Sequence, residues 1–537
     1  MATSLASPVS SERISGRISD RLRGEEYRRE RGFAVGLVTA LTFCAVLVHG
    51  YHPYAEDGGV YMPEIKRLVD PSLYPRGPEF VMGHLRYSMF APLMARMVWV
   101  SHLSVEMVLL LVHVASFWAM LFAAWMLAKR CFGSREARCG AVALLAAWMT
   151  LPIAGTSLML MDPYVTARSL STPCALLALV GALDFLLLDR DDARRWQGLA
   201  LCCFALVGAG VMHPLMGGYA LGSVLLLRTV MSPSRTVRWW GTAGLAATAL
   251  AVAGGLVLEA PVESGIYRQV MLTREYWFLS QWHWYELGGL VAPMLILAGI
   301  AVRRKQAGDE ARVGLARMAL AAGVTATAVA LLFARAGMMT HLVARLQPLR
   351  IFQLVYVVMT LALGAALGER VLQRRVWRWA AAFSVLGGVM VSAERMTFPD
   401  SKHLELPGAV LAGGGGNEWE RAFVWIRGNT PKDALFALDA HYITRPGEDA
   451  QGFRAIAERS EVPDYSKDGG VVSNKPELAG EWMRGEVVQT GLSTEGDAQR
   501  VAGLRPLGVG WVVLEREAAT RFACAYENAA VKVCRLP

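Results

Sequence analysis

The segment Tyr51-His-Pro-Tyr-Ala-Glu-Asp-Gly-Gly-Val-Tyr61 sets two adjacent carboxylates, Glu56 and Asp57, just beyond an apolar block and ahead of two glycines that let the backbone turn sharply. Carboxylates held against a cleft act as a general base or bind a divalent cation. The same residues also suit a solvated Asp-Gly-Gly turn. A second segment, Met161-Asp-Pro-Tyr-Val-Thr-Ala-Arg-Ser-Leu-Ser-Thr-Pro173, carries Asp162 and Arg168 against another apolar block. Ionisable groups there are costly near lipid and turn toward a protein cavity. Helix capping by Asp162 and by Ser171 or Thr172 is the alternative reading. In Arg345-Leu-Gln-Pro-Leu-Arg350, two permanent cations precede an apolar block. Their planar donors suit phosphate oxygens, and snorkelling to ordinary headgroups is the competing explanation.

Apolar blocks of about 18–22 residues must position these groups, the length that an α-helix needs to cross a hydrocarbon core of roughly 30 Å. The chain has 537 residues, 54% hydrophobic and 18% charged, with a mean hydropathy of +0.34, which excludes an ordinary soluble enzyme. Eleven candidate spans fall near residues 33–50, 104–128, 139–157, 170–188, 197–212, 215–231, 239–259, 287–302, 314–334, 351–368 and 379–394. The first is expected to be a retained helix, because 32 residues precede it and no small-residue cleavage pattern follows.

The formal net charge of +9 is carried largely by short loops, so it reports topology and no nucleic-acid partner. Seven arginines (Arg13, Arg17, Arg21, Arg23, Arg28, Arg29, Arg31) precede the first span. Every second loop adds more: Lys129, Arg130, Arg135 and Arg138; Arg190, Arg194 and Arg195; Arg228, Arg235 and Arg238; Arg303, Arg304, Lys305 and Arg312; Arg370, Arg374, Arg375 and Arg378. This alternation predicts a cytoplasmic N-terminus and an outside C-terminus in the cytoplasmic, or inner, membrane.

The fold class expected is therefore an all-α polytopic membrane domain of about eleven helices with a small C-terminal α/β extracytoplasmic domain. Residues 1–32 form a basic tail, 33–394 the membrane domain with a long first outside loop over 51–103, and 395–537 the outer domain, entered through a glycine linker at 412–417. In that domain the pattern predicts helices at Trp419–Arg427 and Phe453–Glu458, strands at Ala434–Leu438 and Val509–Glu515, and a hairpin over Phe522–Leu536. Six of the eight cysteines lie in or beside apolar helices. Cys524 and Cys534 flank the hairpin turn in the one outside domain, where either a disulfide or two free thiols fits.

A retained first helix, an acidic pair at the start of a long first outside loop, many further spans and a C-terminal outside domain together resemble the GT-C superfamily of integral membrane glycosyltransferases. The resemblance covers about residues 30–535 by architecture, and its sharp sequence content is Glu56-Asp57 and their surroundings. It implies that the pair is catalytic, that the donor is a sugar on a polyprenyl-phosphate or polyprenyl-diphosphate lipid, with a polyprenyl-phosphate sugar of the bacterial type expected here, and that the acceptor is a glycan, lipid or protein. Within it, Asp162 would hold the acceptor or a metal, and Arg168, Arg345 and Arg350 would face the lipid phosphate.

Trp277, Trp282, Trp284 and Tyr285 would form a platform for sugar rings, with His283 and Glu286 as polar contacts; interfacial anchoring competes for these aromatics. His213, at the His213-Pro214 turn, is either a cavity residue or part of a helix break. The resemblance implies an inverting hexosyl or pentosyl transfer in which Asp57 deprotonates or orients the acceptor hydroxyl and Glu56 is its partner or a metal ligand, with the two roles exchangeable. A Mg or Mn ion on Glu56 and Asp57 is left open. The Trp-Trp-Asp-Tyr-Gly signature of the oligosaccharyltransferase branch is absent, so transfer of one sugar is expected over transfer of an oligosaccharide.

No nucleotide-binding loop, zinc signature, hydrolase elbow or Cys-x-x-Cys pair occurs. The rival classes are a transporter or flippase of a lipid-linked or polar solute and a non-catalytic assembly subunit. Internal repeats, which many transporters show, are not visible.

Overall fold

The computed structural model describes residues 9–83, 87–302, 309–408, 417–442, 444–445, 448–449 and 452–537, with side chains from residue 28 onward and outside 444–449. The expected cluster at Arg303, Arg304 and Lys305, the linker over 412–416 and the side chains of the first four tail arginines lie outside the described residues.

Among these residues, nine helices are long and apolar enough to cross a membrane: Arg28–His49, Val105–Cys131, Ala167–Leu187, Ala193–Met212, Arg235–Glu259, Trp284–Ala301, Glu310–Phe333, Leu342–Leu372 and Val376–Thr397. They coincide with nine of the eleven expected spans, and the chain is a multi-pass membrane protein. The first is the end of a helix that begins at Val9, so the described tail is continuous with it.

The other two expected spans are shorter. Pro214–Val230 has 17 residues. The span expected at 139–157 needs correction: its helix is Arg135–Ala147, only 13 residues, or about 20 Å. Pro152 cannot continue the helix, and the chain instead folds back, with a bridge between Pro152 and Met159 and backbone bonds from Met161 to Met149 and from Leu160 to Leu151. Such irregular backbone is tolerated at membrane depth only where protein or a cavity covers it. Here this re-entrant turn delivers Asp162.

Glycines let helices meet backbone to backbone, the close approach that holds helices in lipid, where no hydrophobic force drives them together. A Cβ on Gly181 would lie 2.4 Å from the Gly198 carbonyl oxygen, and one on Gly364 the same distance from that of Gly140. These contacts join Ala167–Leu187 to Ala193–Met212, and Arg135–Ala147 to Leu342–Leu372.

The first long loop forms helices Gly58–Val69, Pro78–Val81 and Phe90–Ser101. The C-terminal domain holds a five-stranded sheet in the order Ser460–Glu461, Leu435–Ala437, Trp511–Glu515, Val531–Arg535, Ala523–Glu527. The first three strands run parallel and the last two form antiparallel pairs. Cys524 and Cys534 face each other across that last pair and are joined by a disulfide. The expected second helix is a single π turn at Phe453–Ala457.

Two buried polar clusters dock this domain. Lys66 pairs with Glu106 at 2.7 Å and with Glu458 at 2.9 Å. His52 pairs through its two ring nitrogens with Glu394 at 2.9 Å and Glu405 at 3.1 Å, and Phe398 stacks on its ring. Burial by itself would lower the His52 pKa, but the two carboxylates outweigh it and raise the value from 6.5 to about 9. The raised value gives this cluster's stabilisation its sign: it is full below pH 6.5, the unfolded value, and is lost as pH rises through about 9.

Two outcomes follow. Melting of the purified protein in detergent is expected to fall between pH 7 and 10, with a smaller fall in His52→Gln. Gly181→Leu is expected to cost about 1–3 kcal/mol or more by overpacking, whereas Gly222→Leu, with nothing within 4 Å of its Cβ position, leaves the melting temperature unchanged.

Candidate active site

The acidic pair sits where the chain leaves the first span. His52 is locked by its two carboxylates, and Gly50 adopts a left-handed φ of 73°. Backbone bonds from Gly58 to Ala55 and from Gly59 to Glu56 close a tight turn. Glu56 itself is left-handed, with φ of 50°, a strained conformation for a residue with a side chain. A Cβ at position 58 would lie 2.6 Å from the Pro53 carbonyl oxygen, so only glycine fits there.

Asp57 is the N-cap residue of Gly58–Val69, yet its side chain makes no cap bond. Its carboxylate accepts instead from Arg168 Nη1 at 3.0 Å. Through Nη2 the same guanidinium donates to Asp162 at 2.9 Å. Arg168 and Asp162 are 4% and 5% exposed, whereas the Asp57 side chain is 37% exposed. The pair thus has one sealed end and one end open to solvent. Burial pushes the Asp162 carboxyl above its usual value, against the pull of Arg168.

This triad forms one wall of a cavity of about 890 Å³ between the bundle end and the C-terminal domain, lined by Glu56, Asp57, Asp162, Arg168, His213, Arg345 and Arg350 among others. Seven of the nine expected catalytic and substrate-binding residues therefore meet here, although they span nearly three hundred positions.

His283 and Trp282 do not line it. His283 caps the helix Trp284–Ala301, its backbone N–H bonded to Glu286 at 2.7 Å and its ring stacked on Tyr285. Trp282 packs against Gly155 and donates to the Tyr276 carbonyl. Trp284 and Tyr285 are 83% and 58% exposed on the bundle surface, the disposition of interfacial anchors. Of that aromatic run, Tyr276 and Trp277 do reach the cavity.

The two arginines before Leu342–Leu372 part company. Arg345 donates to the Ser473 carbonyl at 3.0 Å and to the Tyr267 hydroxyl at 3.3 Å, so it helps to clamp the C-terminal domain. Arg350 lines the cavity with its Nε lacking a hydrogen-bond partner among the described residues. A buried donor of that kind is stabilised by an anionic occupant.

From sequence, the C-terminal domain either shapes an acceptor cleft or covers the membrane site, with no catalytic residue assigned to it. It contributes Tyr465, Ser466, Lys467, Gly470, Ser473 and Asn474 to the lining. Lys467 pairs with Glu56, and Arg274 donates to the Tyr465 carbonyl at 3.1 Å. Arg454 grips Asp468 through two nitrogens, at 2.7 and 2.6 Å, and fixes this segment from behind. No local pattern marks Lys467, which lies 411 positions from its partner.

Five cationic side chains and three carboxylates line the space, a balance that suits an anionic ligand entering beside a carboxylate base. Among the described residues, no group of three or more His, Cys, Asp or Glu is placed to hold a metal ion. Glu56 and Asp57 each face a cation, Lys467 and Arg168 respectively.

The sequence matches no family profile and no curated protein. Among solved structures, an oligosaccharyltransferase of Archaeoglobus fulgidus, tethered to an acceptor peptide containing the NVT sequon, is similar over 90% of this chain and 69% of its own, at 13% identity and a TM-score of 0.48. The oligosaccharyltransferase AglB of the same organism, in complex with an inhibitory peptide and a dolichol-phosphate, is similar over 90% and 70%, at 12% identity and a TM-score of 0.41. At such values neither likeness assigns an activity to this chain.

Replacing Arg168 by Met would leave Asp162 buried and unpaired, at a cost of about 3–5 kcal/mol. Thermal melting is expected to show most of that loss recovered in Arg168→Met/Asp162→Asn; equal melting of the single and double variants would show that the pair does not couple.

Proposed function

We propose that this protein is a membrane glycosyltransferase of the GT-C type. It transfers a sugar from a polyprenyl-phosphate-linked donor to an acceptor hydroxyl on the outer face of the cytoplasmic membrane. The observation that carries this reading is the arrangement around Asp57: a solvent-facing carboxylate oriented by a buried arginine, in the cavity that Arg350 also lines.

In the proposed step Asp57 takes the proton of the acceptor hydroxyl while that oxygen bonds to the anomeric carbon. The bond from the anomeric carbon to phosphate breaks, and the polyprenyl phosphate leaves with the electron pair. A single displacement of this kind inverts the anomeric centre.

Arg168 orients Asp57 through the hydrogen bond from its Nη1. Arg350 faces the departing phosphate, where fixed donors act on charge that develops in the transition state. Glu56, tied to Lys467, positions the turn that carries Asp57 and holds the C-terminal domain over the cavity. Exchange of roles between the two acids is the alternative within this reading. The step routes nothing through a metal, since both carboxylates already have cationic partners. The basic residues gathered at the opposite end of the bundle support a cytoplasmic N-terminus by the positive-inside rule.

The test uses purified protein, a panel of short polyprenyl-phosphate sugars carrying labelled hexose or pentose, and a cell-envelope extract as acceptor source. Labelled product is expected from at least one donor. Asp57→Asn is expected to lower kcat by about 10²–10⁴-fold, the usual share of a general base, and Arg350→Gln to raise the KM for donor more than it lowers kcat. Activity is expected to persist in EDTA. Full activity in a folded Asp57→Asn protein would remove the assignment. No transfer from any donor would shift weight to transport or assembly.

A further inference from the structure

A second and larger cavity, about 1160 Å³, shares no lining residue with the first. It lies between three helices: Val9–His49, Arg135–Ala147 and Val376–Thr397. Its walls are apolar and built largely of small side chains, among them Ala45, Ala143, Ala146, Ala147, Ala380 and Gly387. One end is closed. His49 bonds the Thr150 hydroxyl at 2.8 Å and the Ala146 carbonyl at 2.9 Å, which pins the first helix to the third-span helix, and Val48 meets Gly387. The other end opens among Ser134, Arg135, Gln373 and Arg374.

Its length separates the candidate occupants. On the first helix the lining runs from Leu37 to Val48, and at 1.5 Å per residue that is roughly 16 Å, about half of a hydrocarbon core of roughly 30 Å. A helix of a partner protein needs the full thickness. An apolar slot of roughly this length matches a fatty acyl chain.

The mouth supplies the charge. The Arg374 side chain is 92% exposed and uses Nε to reach Glu136 at 3.0 Å. Arg135 lies over the Phe33 ring at 3.8 Å. Glu369 accepts from Ser134, and four arginines (Arg370, Arg374, Arg375, Arg378) fall within nine residues of sequence here. Trp379, in the lining, donates to the Gln373 carbonyl at 2.9 Å, at the level where indoles sit in a membrane interface.

We propose that this slot is a binding site for an anionic glycerophospholipid of the leaflet at the basic end, one acyl chain filling the slot and the headgroup phosphate lying between Arg135 and Arg374. The inference is independent of the activity proposed above. It needs only the membrane placement of the three helices.

The test is native mass spectrometry of full-length protein extracted in mild detergent, followed by delipidation and titration with phosphatidylglycerol or phosphatidylcholine. One tightly held phosphatidylglycerol-class lipid is expected, bound roughly tenfold more tightly than phosphatidylcholine, because basic residues at a membrane surface attract anionic lipid. Arg135→Gln/Arg374→Gln is expected to erase that preference while a lipid still binds, and Ala143→Phe to abolish retention by filling the slot.

A readout that needs no variant comes from Cys44, which is exposed, and Cys139, which is half-buried: both line the slot, whereas Cys203, also exposed, does not. Adding phosphatidylglycerol to delipidated protein is expected to slow maleimide labelling of Cys44 and Cys139 and to leave Cys203 unchanged. Equal binding of both lipids, retention of an isoprenoid phosphate or of a second protein in place of a phospholipid, unchanged retention in a folded Ala143→Phe protein, or lipid-insensitive labelling of the two thiols would each overturn the proposal.

Discussion

A guanidinium with almost no access to water needs negative partners, and Arg168 finds two of them on segments that also meet through the His52 N–H to Pro163 carbonyl bond and the packing of Ala55 on Tyr164. Asp57 comes from the turn after the first span, and Asp162 from the re-entrant turn that interrupts the third. Breaking either ion pair exposes the cost of a buried charge. The interaction therefore fixes the relative position of the first loop, the re-entrant turn and the helix Ala167–Leu187. It also explains why Asp57, at a helix N-cap, leaves the backbone uncapped. The carboxylate faces the cavity because its stronger partner lies there.

The C-terminal domain is part of the same construction. Its segment from Asp464 to Asn474 is held by Arg274, Arg345 and Lys467 on the cavity side and by Arg454 behind. Arg345 and Lys467 are long cationic side chains that reach between the membrane domain and the outer one, and a carbonyl or carboxylate receives each. The cavity thus has a floor of membrane helices and a roof of soluble domain. Polar chemistry is gathered at this end, while the opposite end of the bundle carries surface pairs such as Lys129 with Glu30 and Arg374 with Glu136, which contribute little to stability.

Interruptions of regular structure mark both cavities. The catalytic candidate uses the short helix Arg135–Ala147 and the fold-back after it. The apolar slot exists because that same short helix presents alanines where longer side chains would have filled the space. One departure from a full span thus opens a polar site at one end and leaves apolar room beside its own flank.

Hydropathy and charge alone determined the membrane class, the places of eleven apolar helices, the separate C-terminal domain and the acidic pair with its two arginine segments, because the bilayer imposes length and charge rules that act on local sequence. Length went wrong only at 139–157, where hydropathy cannot distinguish a span from an apolar segment that folds back at Pro152. The grouping of Asp57, Asp162, Arg168, Arg350 and Lys467 was settled by tertiary structure, since their neighbours are up to 411 residues away. So was the fate of look-alikes: Arg345 clamps a carbonyl while Arg350 holds a buried Nε with no partner among the described residues, and Trp282 packs on Gly155 while Trp277 reaches the cavity. Residue type states what a side chain is able to do. Which partner it meets depends on long-range packing and on the need to compensate every buried charge, and neither is written in local spacing.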